Sequence, residues 1–422
     1  PTMSSPPITT SRFLPPPDSA RRLATMNKLN IREDWDLDAV KVLDHIVQRA
    51  ASIGASDIHV EPKRQHLRVR FRIDGVMNEQ GTLPSDIAPS LLTRVKVLGR
   101  MDMTVRRLPQ DGQFSLELPD GGLVHLRAST FPAIHGETLV MRVLLSHQLI
   151  QMEKLGMDEE ELFKVQRLIT MPSGMVLVCG PTGSGKTSTL YSLLQQIDTK
   201  NLSVVTLEDP IEVEFGEVTQ GQTNVRQGFT FASGLRAILR QDPDVIMVGE
   251  MRDPETSQIA LQASLTGHLV LSTLHTSDTV ETVARLVDLG AEAWIVANAV
   301  QAIVAQRLVR TLCICSEEYS LANDLTARAE SDEIVLAAGT KIRRAKGCER
   351  CHMTGYVGRT GIFEVLEMTD DLRDLVKARA STRQYRDYFV QTATSRSLRE
   401  VGLRKVERGI TSLDEVLRVT SA

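Results

Sequence analysis

Gly180-Pro181-Thr182-Gly183-Ser184-Gly185-Lys186-Thr187 follows the apolar stretch Met175 to Val178 and precedes a helical pattern. A nucleoside triphosphate brings several negative charges that must be met at close range. Glycines let a backbone wrap so tightly that successive N–H groups point inward. Lys186 can then reach the β- and γ-phosphates, and the Thr187 hydroxyl can ligate Mg²⁺. Strand, loop and helix in this order are the context that separates such a phosphate-binding loop from a Gly/Ser/Thr-rich turn.

A phosphate loop needs acids at the ends of neighbouring strands, to organise Mg²⁺ and to orient or activate water. Asp244-Val245-Ile246-Met247-Val248-Gly249-Glu250 reads as a buried strand that brings Glu250 out at the carboxyl edge of a sheet, where the triphosphate sits. Val205-Thr206-Leu207-Glu208-Asp209-Pro210 delivers a second pair of acids to the same edge. Glu208 is the first choice as general base and Asp209 the alternative, since sequence does not show which carboxylate faces the water. His268 stands before the apolar run Leu269 to Ser272 and His275 just after it. A polar residue past that strand could read the γ-phosphate state; a satisfied structural histidine is the competing reading for each.

The same grammar extends outward. Met175–Cys179, Ser203–Leu207, Val245–Val248 and Leu269–Ser272 are short, fully apolar strands alternating with helix patterns, the signature of a mostly parallel sheet covered on both faces. Asp253-Pro254 starts a helix that Gly267 stops, and Ser412 with Glu415 reads as a capping box for the last helix. Residues 157–422 form an α/β domain by this reading, helical from 369 to 422. Upstream, Val40, Leu43, Ile46 and Val47 recur at helical spacing between Asp38 and Gly54. Ile58–Val60, Leu67–Ile73 and Leu123–Leu126 alternate like strands, with turn signals at Asp74-Gly75 and Asp120-Gly121. Residues 38–145 thus read as a small α+β domain and 146–156 as a linker. Residues 1–37, which open on Pro1 and are rich in Pro, Ser and Thr, read as a flexible leader or the scar of a truncation.

The 422 residues suffice for two or three domains. Lys and Arg number 49 against 53 Asp and Glu, a formal net charge of −4, which does not indicate a nucleic-acid partner. No apolar run approaches the roughly 18 residues of a membrane span, and no signal-peptide pattern opens the chain. The expectation is a cytosolic protein. Of five cysteines, Cys313, Cys315, Cys348 and Cys351 fall in two close pairs. Such pairs can converge four thiolates on a structural, tetrahedral Zn²⁺ and close residues 313–351 into a knob, free buried cysteines being the alternative.

Taken together, Glu208-Asp209-Pro210-Ile211-Glu212, the segment from Arg240 to Asp253, the stretch from Thr266 to Thr276, and the later Cys pairs with Gly355-Tyr356-Val357-Gly358-Arg359 resemble the ATPases of type II secretion and type IV pilus assembly. The resemblance covers about Asp38 to Ala422. It implies a PAS-like N-terminal domain and a RecA-like ATPase domain, working as a ring hexamer on an inner-membrane platform, cytoplasmic and reaching the membrane through partners only. It implies ATP and Mg²⁺ at the phosphate loop, with the acids as assigned above. Arg127 and Arg142 match family positions that bring arginine from the N-terminal domain to ATP, and Arg359 is a third candidate. Without the resemblance each would read as a solvated salt-bridge partner. The family pattern has C-x-x-C at both ends of the knob, whereas Cys313-Ile314-Cys315 is one residue shorter, so His352 enters as a substitute ligand.

The function expected is ATP hydrolysis that powers pseudopilus assembly for protein export. A pilus-assembly motor of the same architecture is the first rival, and the ending from Gly402 to Val419 is closer to the secretion branch. A DNA motor lacks support from charge or from an aromatic-basic strand-binding pattern. A nucleotide-gated scaffold with little turnover would not need Lys186, Glu208 and Glu250 intact.

Overall fold

Asp38 accepts the amide of Val40 at 2.9 Å and opens helix α1 (Ala39–Ser52), where Val42, Leu43, Ile46 and Val47 lie buried on one face. The computed structural model describes residues 38–118, 122–144, 150–321, 336, 339–392 and 396–421. The leader expected over 1–37, the turn signal at Asp120-Gly121 and residues 146–149 of the expected linker lie outside the described residues. The chain divides into two units, Pro1–Leu145 and Ser146–Ala422.

In the first unit α1 is followed by β1 (Ala55–Pro62), β2 (His66–Ile73), β3 (Val76–Pro84), α2 (Ala88–Leu98), β4 (Gln110–Glu117), β5 (Leu123–Ala133) and β6 (Gly136–Leu144). The strands form one antiparallel sheet in the order β3-β2-β1-β6-β5-β4. Strand alternation turns Ile58, Val60, Val69, Phe71, Leu126 and Met141 into a core with α1 and α2, and leaves the other face mostly polar, with Leu123 and Phe131 exposed on it. Lys96 on α2 is 2% exposed; its Nζ donates to the Glu137 carboxylate at 2.6 Å and to the Val105 carbonyl at 2.7 Å. A charge taken that far out of water persists because it is paired and hydrogen-bonded.

The second unit runs α3 (Glu159–Leu168), β7 (Gly174–Cys179), α4 (Lys186–Leu194), β8 (Val204–Glu208), β9 (Thr219–Gln222), α5 (Phe231–Ile238), β10 (Val245–Val248), α6 (Pro254–Leu265), β11 (Leu269–Leu274), α7 (Thr279–Asp288), α8 (Ala293–Ala299) and β12 (Val300–Leu312). It continues through β13 (Glu317–Ser320), β14 (Lys341–Arg344), β15 (Tyr356–Glu367), α9 (Asp370–Lys377), α10 (Thr382–Thr392), α11 (Leu398–Glu407) and α12 (Leu413–Thr420). Seven strands order as β15-β12-β7-β11-β10-β8-β9; β15 alone is antiparallel to its neighbour. Every residue of β7, β8, β10 and β11 is buried. Along β7, Met175, Leu177 and Cys179 enter one apolar cluster while Val176 and Val178 enter the other, so both faces are dry.

Asp253 accepts the amide of Thr256 and starts α6. At the last helix the structure departs from the capping box. Ser412 accepts the amide of Glu415 at 3.3 Å, but the Glu415 carboxylate does not return to it. It binds Arg418 and Arg310 instead, tying α12 to β12. Burial pushes that carboxyl up, yet the bonds from Arg418 and Arg310 outweigh it and bring it down to about 2.

Lys96→Ala strands the buried Glu137 carboxylate and removes the anchor of Val105. It is expected to destabilise the first unit by roughly 3 to 5 kcal/mol, read by urea unfolding. A loss below about 1 kcal/mol would mean that water reaches the pair.

Candidate active site

The loop 180–187 leaves the carboxyl end of β7 and enters α4 directly. Gly180 has φ 151° and Gly185 φ 90°. A Cβ on Gly180 would lie 2.6 Å from the Gln306 carbonyl oxygen, and one on Gly185 would lie 2.8 Å from Gln306 Nε2. Gln306 on β12 is 1% exposed and accepts Thr189 Oγ1 at 2.7 Å, so a buried amide supports the loop from below. That support was not legible in sequence, where Gln306 is merely one polar residue in an apolar strand.

Lys186 is 8% exposed, and its Nζ donates to the loop's own carbonyls, Gly180 at 2.8 Å and Pro181 at 3.0 Å. Burial pulls its pKa below the usual lysine value, opposed in part by the negative groups nearby, Glu250 among them. A buried, partly desolvated ammonium facing a helix N-terminus is a strong receptor for an anion. Ser184 Oγ is buried with no partner among the described residues, and Thr182, Gly183 and Thr187 are exposed. The loop is thus chemically suited to a phosphate tail, with the Thr187 hydroxyl open to a cation.

The acids divide. Glu250 follows β10 and its side chain is 13% exposed; Oε1 accepts Arg252 Nη2 at 2.6 Å, and Oε2 pairs with His275 Nε2 at 3.2 Å. Glu250, His275 and Lys186 therefore gather at the sheet's carboxyl edge. Arg252, which sequence reasoning left unassigned, belongs to this group. Glu208 does not have the exposure of a general base. It is 3% exposed, and its carboxylate accepts Thr206 Oγ1 at 2.6 Å, Gln220 Nε2 at 3.0 Å and the Tyr191 hydroxyl. Buried, with three hydrogen bonds from within the protein, it is not presented to water as Glu250 is. Asp209, next in the chain, is exposed.

The two histidines also part. His275 joins Glu250, but His268 lies at the amino end of β11, the opposite edge of the sheet. Its Nδ1 bonds the Ala263 carbonyl oxygen at 2.9 Å. The six residues of β11 separate the two by roughly 20 Å. His268 is corrected to a residue that closes the turn after α6, at the edge of the sheet away from loop 180–187. Arg359 lies exposed on β15, the outermost strand, opposite Arg310.

In the first unit Arg127 on β5 and Arg142 on β6 are directly opposite each other. Both are exposed, on the face turned away from the helices. Like charges in register repel. Asp57 offsets this in part, accepting Arg142 Nε at 3.1 Å. The arrangement is a two-arginine surface suited to an anion.

The four cysteines converge. Sγ distances are 3.8 Å for Cys313 and Cys348, 3.8 Å for Cys315 and Cys351, and 3.7 Å for Cys348 and Cys351. A tetrahedron with Zn–S of about 2.3 Å has edges of about 3.8 Å. All four sulfurs lie within 4.8 Å of one another, so the shortened Cys313-Ile314-Cys315 pair still brings both thiols into the group, with Ile314 turned outward, 78% exposed. His352 stands outside this donor set.

A family model described as "Type II/IV secretion system protein" matches residues 34–418. The chain is 44% identical over 395 residues to a "Type II secretion system ATPase E" of Vibrio cholerae, covering 92% of this chain and 77% of that one. It is 43% identical over 385 residues to a "Type IV pilus assembly ATPase" of Acinetobacter baylyi, covering 91% and 66%. Among solved structures the ATPase DotB of Legionella pneumophila aligns with a TM-score of 0.69 at 21% identity, over 94% of this chain and all of that one.

From the thiol geometry, protein purified without chelator is expected to carry about one zinc per chain. Metal analysis with a thiol titration checks it; four reactive thiols and no metal would leave the cluster a packing of free cysteines.

Proposed function

The chain belongs to the type II/IV secretion system protein family, and from that premise we propose that it is a Mg²⁺-dependent ATPase whose turnover drives pseudopilus assembly for protein export by type II secretion. The observation that carries the reading is the anion receptor of Gly180–Lys186, set beside Glu250 at one sheet edge, in a chain that matches ATPases of this kind along most of its length. Assembly of a type IV pilus is the second reading, favoured by the 43% identity to a pilus ATPase. A hexameric ring seated on inner-membrane partners completes the proposal. Among the described residues no helix is long and apolar enough to cross a membrane. The first unit is taken as PAS-like and the second as RecA-like.

Each residue's part follows from its surroundings. On ATP binding Lys186 exchanges the Gly180 and Pro181 carbonyls for β- and γ-phosphate oxygens, and the amides that open α4 meet the remaining charge. Thr187 and Glu250 would hold Mg²⁺, which neutralises charge on the phosphate oxygens. Glu250 also orients the attacking water and accepts its proton, while His275 and Arg252 hold its carboxylate in place. Asp209 stands by as a second acid. Arg127 and Arg142 supply positive charge to the transition state at a nucleotide of the same or a neighbouring chain, with Arg359 assisting. Cys313, Cys315, Cys348 and Cys351 would hold a structural Zn²⁺ that leaves no open position for catalysis.

Lys186→Ala is expected to abolish ATP hydrolysis in a folded protein, and Glu250→Gln to lower kcat by roughly 10² to 10⁴ with nucleotide affinity little changed. Steady-state hydrolysis and nucleotide titration measure both, and parent rates in either variant would sink its assignment.

The shared arginines make a separate demand. Specific activity should rise with protein concentration as rings assemble, and Arg127→Ala or Arg142→Ala should remain slow, by about 10³, even at high concentration. Concentration-independent turnover together with full activity in both variants would return these arginines to ordinary ion pairs.

A further inference from the structure

The segment from Asp209 to Val218 leaves β8 at the phosphate edge and contains no helix or strand of its own. Its conformation rests on side chains from elsewhere. Tyr191 lies on α4, five residues beyond Lys186. Its hydroxyl donates to the Glu208 carboxylate and accepts the backbone amide of Glu212 at 3.1 Å. One oxygen atom therefore touches both the acid that ends β8 and the acid-bearing segment that follows it. The ring of Phe215 stands edge-on to the Tyr191 ring, with centroids 5.2 Å apart.

The other end of this network is equally fixed. Gln220 donates to Glu208 at 3.0 Å and to the Val213 carbonyl at 3.0 Å, and its side-chain oxygen accepts the Phe215 amide at 2.7 Å. Tyr191 is 4% and Glu208 3% exposed. Burial, then the bond to Glu208, holds the Tyr191 hydroxyl in its protonated form, well above the usual tyrosine range. Largely removed from water, such a chain of bonds transmits displacement because its members are bonded to one another rather than to solvent.

We infer that Tyr191 is a positioning residue, which reads the position of the phosphate-loop helix through its hydroxyl and sets the segment Asp209–Val218 accordingly, with Glu208 as its partner. This rests on the reading of loop 180–187 as the ATP site. α4 begins at the residue that meets the phosphates, so any tilt of its first turn on nucleotide capture is carried about 7 Å along the helix to Tyr191. The hydroxyl then moves Glu208 and the Glu212 amide together. Asp209 and Glu212, both exposed, thereby take positions that depend on whether the loop is filled. Glu208 also acquires a task that its burial permits, in place of the proton transfer that it does not.

The test uses the full chain. Tyr191→Phe keeps the ring and the Phe215 contact and removes only the hydroxyl. Its kcat for ATP is expected to fall at least tenfold while the affinity for MgADP stays within twofold. Glu208→Gln should behave alike, and Tyr191→Phe/Glu208→Gln should be no slower than the worse single variant, as for two residues acting as one unit. Hydrogen exchange gives a second readout. A non-hydrolysable ATP analogue should slow exchange in both α4 and residues 209–218 of the parent. In either single variant it should slow α4 alone. Should Tyr191→Phe fail to fold, Glu208→Gln is read in the same two ways. Parent-like kcat in Tyr191→Phe, multiplicative losses in the double variant, or intact protection of 209–218 would overturn the inference. An active Lys186→Ala would instead mean that the ATP-site reading itself is wrong, so the two failures are distinguishable.

Discussion

Strands that run parallel cannot be joined by a tight turn; the chain must cross back over the sheet between them, here mostly through helices, so every strand's carboxyl end opens on the same edge. In the second unit β7, β8, β10, β11 and β12 obey that constraint. Loop 180–187, Glu208, Glu250 and His275 then share one edge although 95 positions separate Gly180 and His275 in the chain. The chemistry at this edge is a by-product of how a doubly covered sheet is wound. His268 shows the rule by exception: placed at the amino end of β11, it is taken out of the group however close it stands to His275 in sequence.

Within that edge, burial sorts groups that look equivalent on paper. Glu208 and Glu250 both follow an apolar strand. Glu208 turns inward to Thr206, Gln220 and Tyr191 and is sealed, while Glu250 faces the loop, with exchangeable partners in Arg252 and His275. The same sorting explains Lys186, whose ammonium borrows two loop carbonyls rather than a carboxylate. Neutral carbonyls offer an ammonium less than an anion would.

The first unit solves a different problem with an antiparallel sheet. Having covered one face with α1 and α2, it leaves the other to polar side chains, and register alone brings Arg127 opposite Arg142 with Asp57 as neighbour. Two like charges held in register repel, and the Asp57 carboxylate offsets part of that cost. The thiol cluster is comparable in kind: β13 and β14 form a two-stranded sheet with a limited apolar core, and four sulfurs within 4.8 Å of one another can replace the packing that such a small unit lacks.

Much of this was legible in the sequence because the signals are local. Asp38 and Asp253 as caps, the buried strands expected over Met175–Cys179, Ser203–Leu207, Val245–Val248 and Leu269–Ser272, and the glycines of loop 180–187 each follow from nearest neighbours along the chain. The pairing of the cysteines into one cluster was also within reach, since spacing limits how far a pair can spread. What only the tertiary structure decided were matters of direction and of partners distant in sequence. They include which face Glu208 presents, the bond that takes Glu415 to Arg310 instead of back to Ser412, the Gln306 amide beneath Gly180 and Gly185, and the two ends of β11 that divide His268 from His275. A sequence fixes which residues are apolar and where the backbone can turn. The partner of a buried polar group is whichever group the packed chain brings within 3 Å of it, and that is set by strand order, which no local pattern encodes.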